Sequence, residues 1–247
     1  MLMNSLLLPR YSSRIRLAGC ELPCRFVFPE TDSFFGSSAL PSEGQEDGIS
    51  VPAYEWEAWL RSGGVQDPHA EFSSFTACSS DALLEYDRMI LHGVSFRFRD
   101  RAWLLCASSG VGKSTQVRFL QELYPGEFSV ICGDRTILQL TEEGGVMAHP
   151  SPWNGKEGWH GAPAAPLAGI LCLERGEETS FLRYTPDQAV VPVFRSLIAT
   201  FSSESLIRRI AAFETQLLRR VPVWRYVNGG VPDSTRLLYD HLCRQEA

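Results

Sequence analysis

The 247-residue sequence contains no apolar run close to the roughly 18 residues that a membrane-spanning helix needs. Residues 1–9 include three consecutive leucines but neither a basic segment nor a long hydrophobic stretch, so we expect no signal peptide. Clusters of basic residues are also lacking, and the net charge is −6. The arginine pairs at 208–209 and 219–220 are typical of solvated helix faces, so we expect neither a nucleic-acid nor a membrane partner.

Internal repeats, low-complexity tracts and cysteine pairs suited to zinc are missing as well. Cys20 and Cys24 have no second pair of cysteine or histidine residues at metal-binding spacing. Three of the seven cysteines, Cys106, Cys132 and Cys172, lie in apolar runs typical of buried, reduced thiols. These features predict a protein of the reducing cytoplasm.

Hydrophobic residues make up 44% of the sequence and charged residues 21%, which suffices for a large buried core. The length fits one large domain, or one domain with an elaboration. We expect residues 1–85 to form a β-rich N-terminal segment packed on the remainder, and residues 86–247 to form the principal domain. The sequence does not indicate an oligomeric state.

The most informative stretch is residues 107–115, with the sequence ASSGVGKST. An apolar run at 102–106, typical of a strand, precedes it, and residues 116–123 follow with apolar side chains at helical spacing. A strand, a glycine-rich turn and a helix in that order are the setting of a Walker A phosphate loop. Ala107 is a departure, because the pattern begins with glycine. The alternative is a glycine-rich strand–helix turn that matches the pattern by chance.

The chemistry expected of such a loop follows from its backbone. Gly110 and Gly112 can adopt backbone angles that other residues rarely reach, so successive N–H groups can point into one concavity. The helix N-terminus adds a partial positive charge. Lys113 is expected to reach the β- and γ-phosphates of ATP, and the Ser114 hydroxyl to ligate Mg²⁺. The expected nucleotide-binding residues are Ser109, Gly110, Val111, Gly112, Lys113, Ser114 and Thr115.

A phosphate loop also needs a nearby acidic residue, either to hold Mg²⁺ or to accept the proton of the attacking group. Asp134 is the candidate, because it follows the buried-strand pattern of residues 128–132. The alternative is an aspartate that only stabilises a turn.

A second candidate group lies in residues 150–159, which contain two prolines, two glycines and two tryptophans. Solvated loops seldom contain two tryptophans. Lys156 could hold the transferred phosphoryl group, and Glu157 could contribute to metal binding. The alternative for these two residues is a solvated charge pair.

Residues from about 89 onward resemble the HPr kinase/phosphorylase and phosphoenolpyruvate-carboxykinase-type group of P-loop proteins. The resemblance rests on His92-Gly93-Val94 followed by the SGVGKS of residues 109–114, in the order of that group and with no gap required. The Asp-Asp pair that this group has after the next strand falls on Gly133-Asp134. The resemblance places His92 in the catalytic set, whereas a lone histidine is more often a core residue.

Several departures narrow what the resemblance implies. Ala107 replaces the first glycine, a single acidic residue of the pair is present, and residues 1–85 do not resemble the HPr kinase regulatory domain. The tryptophan-containing loop stands where the HPr kinase signature would follow. In this respect the chain looks like the shorter HPr-kinase-like proteins, some of which are peptide-tailoring kinases. HPr is therefore not the expected acceptor.

The resemblance implies an α/β fold of the HPr kinase/carboxykinase type, with a mixed sheet flanked by helices and extended by N-terminal strands. It implies ATP- and Mg²⁺-dependent phosphoryl transfer to a serine or threonine hydroxyl of a protein or peptide. The expected catalytic residues are Asp134, Lys113, Lys156 and His92, and the expected metal ligands are Ser114, Asp134 and Glu157.

Two alternative functions remain open at this point. The first is a nucleotide-binding sensor without transfer activity, suggested by the reduction of the Asp-Asp pair to Gly133-Asp134. The second is a carboxykinase acting on a small acid. That reaction generally needs a Mn²⁺ site of histidine, lysine and aspartate with substrate-binding arginines, and we do not locate this set in the sequence.

Overall fold

A computed structural model of the chain describes residues 8–41, 47–64, 66–159 and 161–245. The expectation that residues 1–9 are not a signal peptide therefore falls mostly outside the described residues. Two 3-10 segments occur at Pro29–Ser38 and Leu84–Tyr86. The strands and α-helices are, in chain order, β1 (Tyr11–Leu17), β2 (Cys20–Phe26), β3 (Ala39–Leu40), α1 (Ala53–Arg61), α2 (Pro68–Leu83), β4 (Arg88–Phe98), β5 (Arg101–Cys106), α3 (Lys113–Leu123), β6 (Phe128–Cys132), β7 (Arg135–Leu140), β8 (Val146–His149), β9 (Ala165–Arg175), β10 (Ser180–Arg183), α4 (Pro186–Phe194), α5 (Glu204–Arg220), β11 (Val223–Asn228) and α6 (Asp233–Gln245).

Within the described residues, eight strands form a mixed sheet in the order β10-β11-β9-β5-β4-β7-β8, with β6 paired to β4. The strands β5, β9 and β11 are parallel neighbours, and β4 is antiparallel to β5, β6 and β7. Helices α3 and α6 cover one face, and α4 and α5 cover the other. The predicted fold class, an α/β protein with a mixed sheet flanked by helices, is confirmed.

The central strands are buried on both faces, as their nearly continuous apolar runs predict. Successive residues of β5 point to opposite layers. Trp103 and Leu105 pack with α3 and α6, whereas Leu104 and Cys106 pack with α4 and α5. All seven cysteines are free, and six of them are buried. The cytoplasmic location stays a prediction. No helix in the described part of the chain is long and apolar enough to cross a membrane.

Residues 11–40 contain a separate antiparallel sheet in the order β2-β1-β3. The rest of the N-terminal segment is mainly helical, since α1 and α2 follow, so the prediction of a β-rich segment is wrong for this part. The start signals of α2 explain the helix. The Asp67 carboxylate accepts a hydrogen bond from the Ala70 N–H at 2.7 Å, and Pro68 lies in the first turn.

The N-terminal segment packs on the main sheet through a shared apolar cluster. Phe26, Phe35 and Phe75 lie in one cluster with Ile90 of β4 and Ile137 of β7. Helix α2 therefore lies beside β4. The domain boundary near residue 86 stays a prediction.

Glu214 is an acidic residue on the buried face of α5, with a relative exposure of 5%. Its Oε1 atom has no hydrogen-bond partner in the described residues, and burial raises the pKa of its carboxyl group to about 7. The folded-state pKa thus lies above the ordinary value of a glutamate. The contribution of Glu214 to the free energy of unfolding is therefore full below the ordinary glutamate pKa, and it is lost as the pH rises through about 7.

We expect Glu214→Gln to remove this pH dependence. Between about pH 5 and pH 8 the wild type should lose on the order of 2 kcal/mol more unfolding free energy than the variant. Urea denaturation at the two pH values measures the difference. Glu204→Gln, at an exposed position of the same helix, is the control and should follow the wild type. Parallel losses in the wild type and Glu214→Gln would show that Glu214 is not the responsible group.

Candidate functional site beside the glycine-rich loop

Three segments of the chain meet at Gly93 of β4. On one side, Gly93 pairs with Cys106, the last residue of β5, so the glycine-rich loop leaves the sheet at this point. On the other side, β4 changes partner from β6 to β7, and the Gly93 N–H donates to the Asp134 carbonyl at 2.7 Å. The register of the sheet therefore brings the loop and Asp134 to the two sides of one residue.

The glycine-rich loop joins β5 to α3, in the predicted order of strand, loop and helix. Gly110 and Gly112 have positive φ angles of 78° and 118°, which favour glycine. The φ angle of Ala107 is not positive. Alanine is therefore tolerated at position 107. A Cβ added at Gly110 or Gly112 would have no neighbouring atom within 4 Å. Within the described chain no side chain caps α3, so the N–H groups and partial positive charge of its first turn remain open to an anion.

A cavity of about 510 Å³, which we call the loop cavity, adjoins this loop. Its lining residues are His92, Ser109, Gly110, Gly112, Lys113, Ser114, Thr115, Arg118, Gly133, Asp134, Gly155, Lys156 and Glu157. All residues predicted for catalysis or metal binding line this one cavity. Among the predicted nucleotide-binding residues, Val111 is the exception, because it packs against the apolar layer of α3.

The sequence contains two lysines among its 23 basic residues, and both line the loop cavity. The Lys113 side chain is largely buried, and its ammonium group donates to the carbonyl oxygens of Ala107 at 2.8 Å and Ser108 at 3.4 Å. Burial lowers the pKa of Lys113, and the negative charge of Asp134 opposes this effect. The ammonium group is thus held against the loop by the loop's own carbonyl oxygens. Lys156 is exposed.

The Asp134 carboxylate lies between the imidazole of His92 and the guanidinium group of Arg135. His92 Nε2 is 3.2 Å from Asp134 Oδ1, and Arg135 Nε is 3.5 Å from Oδ2. Burial by itself would raise the pKa of Asp134, but the hydrogen bond from His92 and the charges of His92, Arg135 and Lys113 bring it below its ordinary value. Asp134 is therefore ionised at neutral pH and can accept a proton or bind a cation. The His92 side chain is 33% exposed, so it lies at the cavity surface and not in the core.

Trp153 holds the tryptophan-containing loop in place. Its ring is buried and stacks on Phe72 of α2 with 5.5 Å between centroids, and its Nε1 donates to the Phe72 carbonyl at 2.9 Å. The second tryptophan, Trp159, is partly buried and packs against the apolar cluster that contains Val117 and Leu120 of α3. The loop is therefore fixed at both ends, and Lys156 and Glu157 lie between these ends in the cavity wall.

Two glycines allow the tryptophan-containing loop to lie close to Asp134. A Cβ at Gly133 would be 2.5 Å from the Asn154 carbonyl oxygen, and one at Gly155 would be 3.0 Å from the Asp134 Cβ. Any side chain at position 133 would therefore displace the loop. An aspartate at position 133 would displace the loop in the same way.

Glu157 forms an ion pair with Arg118 of α3, at 3.6 Å between the nearest atoms. In the described residues, no three His, Cys, Asp or Glu side chains come together as a metal site. Mg²⁺ commonly takes one or two protein carboxylates together with phosphate oxygens. The donor set of Ser114, Asp134 and Glu157 fits such a shared site, in which a ligand supplies the remaining oxygens.

Three arginines of the site were missed by sequence reasoning. Arg175, the last residue of β9, donates to the Gly110 carbonyl at 2.6 Å and to the Val111 carbonyl at 3.2 Å. Since β5 and β9 are parallel, the end of β9 lies beside the loop that follows β5. The rule that located Asp134, a polar residue at the end of a buried strand, would also have found Arg175. Arg135 is adjacent to Asp134, and Arg118 lies one turn after Ser114.

Fold and cavity together define an α/β protein in which a strand, a glycine-rich loop and a helix N-terminus form one wall of a strongly polar site. No family model matches the sequence. No curated protein matches it either. Among solved structures, the Hpr(Ser) kinase/phosphatase from Coxiella burnetii is similar, with a TM-score of 0.37 and 10% identity, over 64% of this chain and 99% of that chain. This is a distant similarity, and it concerns the fold alone.

Proposed function

We propose that the protein transfers the γ-phosphoryl group of ATP, with Mg²⁺, to a serine or threonine hydroxyl of a protein or peptide. The observation that supports this most strongly is the grouping in the loop cavity. An open glycine-rich loop with Lys113 forms one part of its wall, and the His92–Asp134 pair forms another.

The loop side of the cavity suits phosphate groups. The open N–H groups at the start of α3 and the ammonium groups of Lys113 and Lys156 would bind the phosphate oxygens. Ser114 and Asp134 would hold Mg²⁺, and Glu157 would join them after leaving Arg118. The metal ion would supply neutralisation of the developing phosphate charge.

The His92–Asp134 side suits the acceptor hydroxyl. As the hydroxyl oxygen bonds to the γ-phosphorus, the bond from that phosphorus to the β–γ bridging oxygen breaks, and the hydroxyl proton passes to the Asp134 carboxylate. The products are a phosphoester and ADP. His92 would orient the carboxylate through its hydrogen bond. Positioning and charge neutralisation supply most of the catalysis in such transfers.

A nucleotide-binding sensor without transfer activity is the second candidate function. The crowding at Gly133 favours it, because the close approach of the tryptophan-containing loop leaves no room for a second acidic residue beside Asp134.

Incubation with Mg²⁺, γ-labelled ATP and lysate of the host cells tests the proposal. We expect label in phosphoserine or phosphothreonine of an acceptor and no label from α-labelled ATP. With Asp134→Asn the label should fall by about 10²-fold or more. A sensor would bind ATP and produce no labelled acceptor.

Lys156→Ala and Glu157→Gln test the part of the tryptophan-containing loop in transfer. If these side chains act on the phosphoryl group and Mg²⁺, each change should lower turnover by about 10-fold or more and nucleotide affinity by less. Steady-state kinetics and nucleotide titration measure the two effects. Glu178→Gln, at an exposed position outside the cavity, is the control. Wild-type turnover in both variants would mean that this loop does not act in transfer and has only a structural role.

A further inference from the structure

A second cavity, of about 460 Å³, adjoins the loop cavity at the His92–Asp134 pair, and these two residues line both cavities. One of its walls is α2 and another is the segment of residues 195–200, which follows α4. We call it the α2 cavity. Because the phosphate loop does not line it, a group bound there reaches Asp134 by a route that phosphates in the loop cavity do not occupy.

We infer that the α2 cavity receives the phosphoryl acceptor, as an extended polypeptide segment whose serine or threonine hydroxyl reaches Asp134. This inference rests on the proposed function and adds to it the place and the form of the acceptor.

Arg135 connects α2 to the proposed transfer site. Its guanidinium group lies beside Asp134 and donates to the Ser73 carbonyl at 3.0 Å and to the Thr76 hydroxyl. Burial lowers the pKa of Arg135, and the charge of Asp134 opposes that effect. These contacts fix the position of α2, and so of the cavity wall that α2 forms, relative to the Asp134 carboxylate. This carboxylate would accept the acceptor's proton.

The segment of residues 195–200 offers backbone groups to an extended chain. Leu197 forms an isolated antiparallel bridge with Leu91 of β4, flanked by hydrogen bonds from His92 N–H to the Ser196 carbonyl at 2.7 Å and from Ile198 N–H to the Ile90 carbonyl at 3.0 Å. Since successive residues of an extended segment point their N–H and C=O groups to opposite sides, those of Ala199 point away from β4. Ala199 lines the cavity, and its N–H makes no hydrogen bond to another described residue. Addition of a peptide strand uses such free groups.

The residues around the cavity also suit the side chains of a polypeptide. Glu55 of α1 and the exposed Arg195 line it from different elements and carry opposite charges. Phe194 and Phe201 flank the segment of residues 195–200, are 41% and 38% exposed, and lie 5.6 Å apart between ring centroids. Exposed aromatic side chains beside a polar cavity are typical of protein interfaces. We expect an acidic acceptor residue near Arg195 and a basic one near Glu55.

This assignment gives the N-terminal segment a function. Helices α1 and α2 belong to residues 1–85, outside the stretch that resembles a known family. They would select the acceptor, whereas the glycine-rich loop and Asp134 would perform the transfer.

The test uses the full-length protein, γ-labelled ATP with Mg²⁺, and a degenerate nonapeptide library with a fixed central serine. Ala77→Phe adds a ring from α2 into the cavity, and Ala212→Phe makes the same change on the exposed face of α5. We expect Ala77→Phe to lower transfer to the library by about 10-fold or more, with an unchanged thermal shift from ATP and Mg²⁺. Ala212→Phe should behave as the wild type.

Arg195→Glu provides a second variant that does not alter the core, because Arg195 is exposed. It should reduce the selection of acidic residues in the labelled peptides by several-fold, of the order expected for a partly exposed charge pair. If Ala77→Phe and Arg195→Glu both match the wild type in rate and preference, the inference is wrong and the proposed function stands. Equal transfer to free serine would overturn the polypeptide form of the acceptor. A wild type that binds ATP and labels no hydroxyl would overturn the proposed function itself.

Discussion

In the Asp134→Asn variant, phosphoryl transfer is expected to fall by about 10²-fold or more while nucleotide binding persists. The amide keeps the shape of the side chain but cannot accept the hydroxyl proton. It also removes the negative charge that lies 3.2 Å from His92 and 3.5 Å from Arg135. Single-turnover transfer of labelled phosphate measures the rate, and a thermal shift with ATP and Mg²⁺ measures binding. The dependence on Mg²⁺ should weaken as well, because one expected metal ligand is lost.

Asp100→Asn is a matched control for this change. Asp100 lies in the turn between β4 and β5, is exposed, and pairs with Arg97 at 2.8 Å. We expect wild-type transfer from this variant. A transfer rate in Asp134→Asn equal to that of the wild type would rule out the proposed role of the carboxylate while leaving the nucleotide site intact.

The second large effect is expected from Lys113→Ala. At about 100 times its dissociation constant, ATP with Mg²⁺ should stabilise the wild type by roughly 2.7 kcal/mol. The variant should lose most of this gain, because it lacks the Lys113 ammonium group. In the wild type, the loop carbonyl oxygens hold this positive charge at the start of α3. Thermal unfolding with and without nucleotide measures the change.

Lys113→Met is the companion variant, because it keeps an unbranched apolar side chain in this largely buried position. Without nucleotide, this variant should unfold at a temperature close to that of the wild type. It should still show little stabilisation by ATP. An undiminished stabilisation in both variants would contradict the assignment of the phosphate loop.

Part of the lining of the loop cavity could be predicted from local sequence patterns. The order of strand, glycine-rich loop and helix located Lys113 and Ser114, and the end of a buried strand located Asp134. The scarcity of lysine is a further signal, since Lys113 and Lys156 are the two lysines of the chain and both line the cavity.

Other features depend on contacts between residues far apart in the chain. The pairing of His92 with Asp134 follows from β4 changing partner between β6 and β7, a register that periodicity does not report. The place of Lys156 depends on Trp153 stacking on Phe72, which belongs to a helix that hydrophobic periodicity alone did not indicate. The α2 cavity likewise arises from packing between α2 and the segment after α4.

The central claim, that the loop cavity binds the phosphates of a nucleoside triphosphate, is tested most directly by an acyl-phosphate derivative of ATP. Such a probe transfers its acyl group to an amine beside the bound phosphates, and Lys113 and Lys156 supply the side-chain amines of this chain. We expect mass spectrometry to find the acyl group on Lys113 or Lys156, with labelling suppressed by excess ATP and Mg²⁺. Labelling confined to the α-amino group, or unaffected by ATP, would contradict the claim.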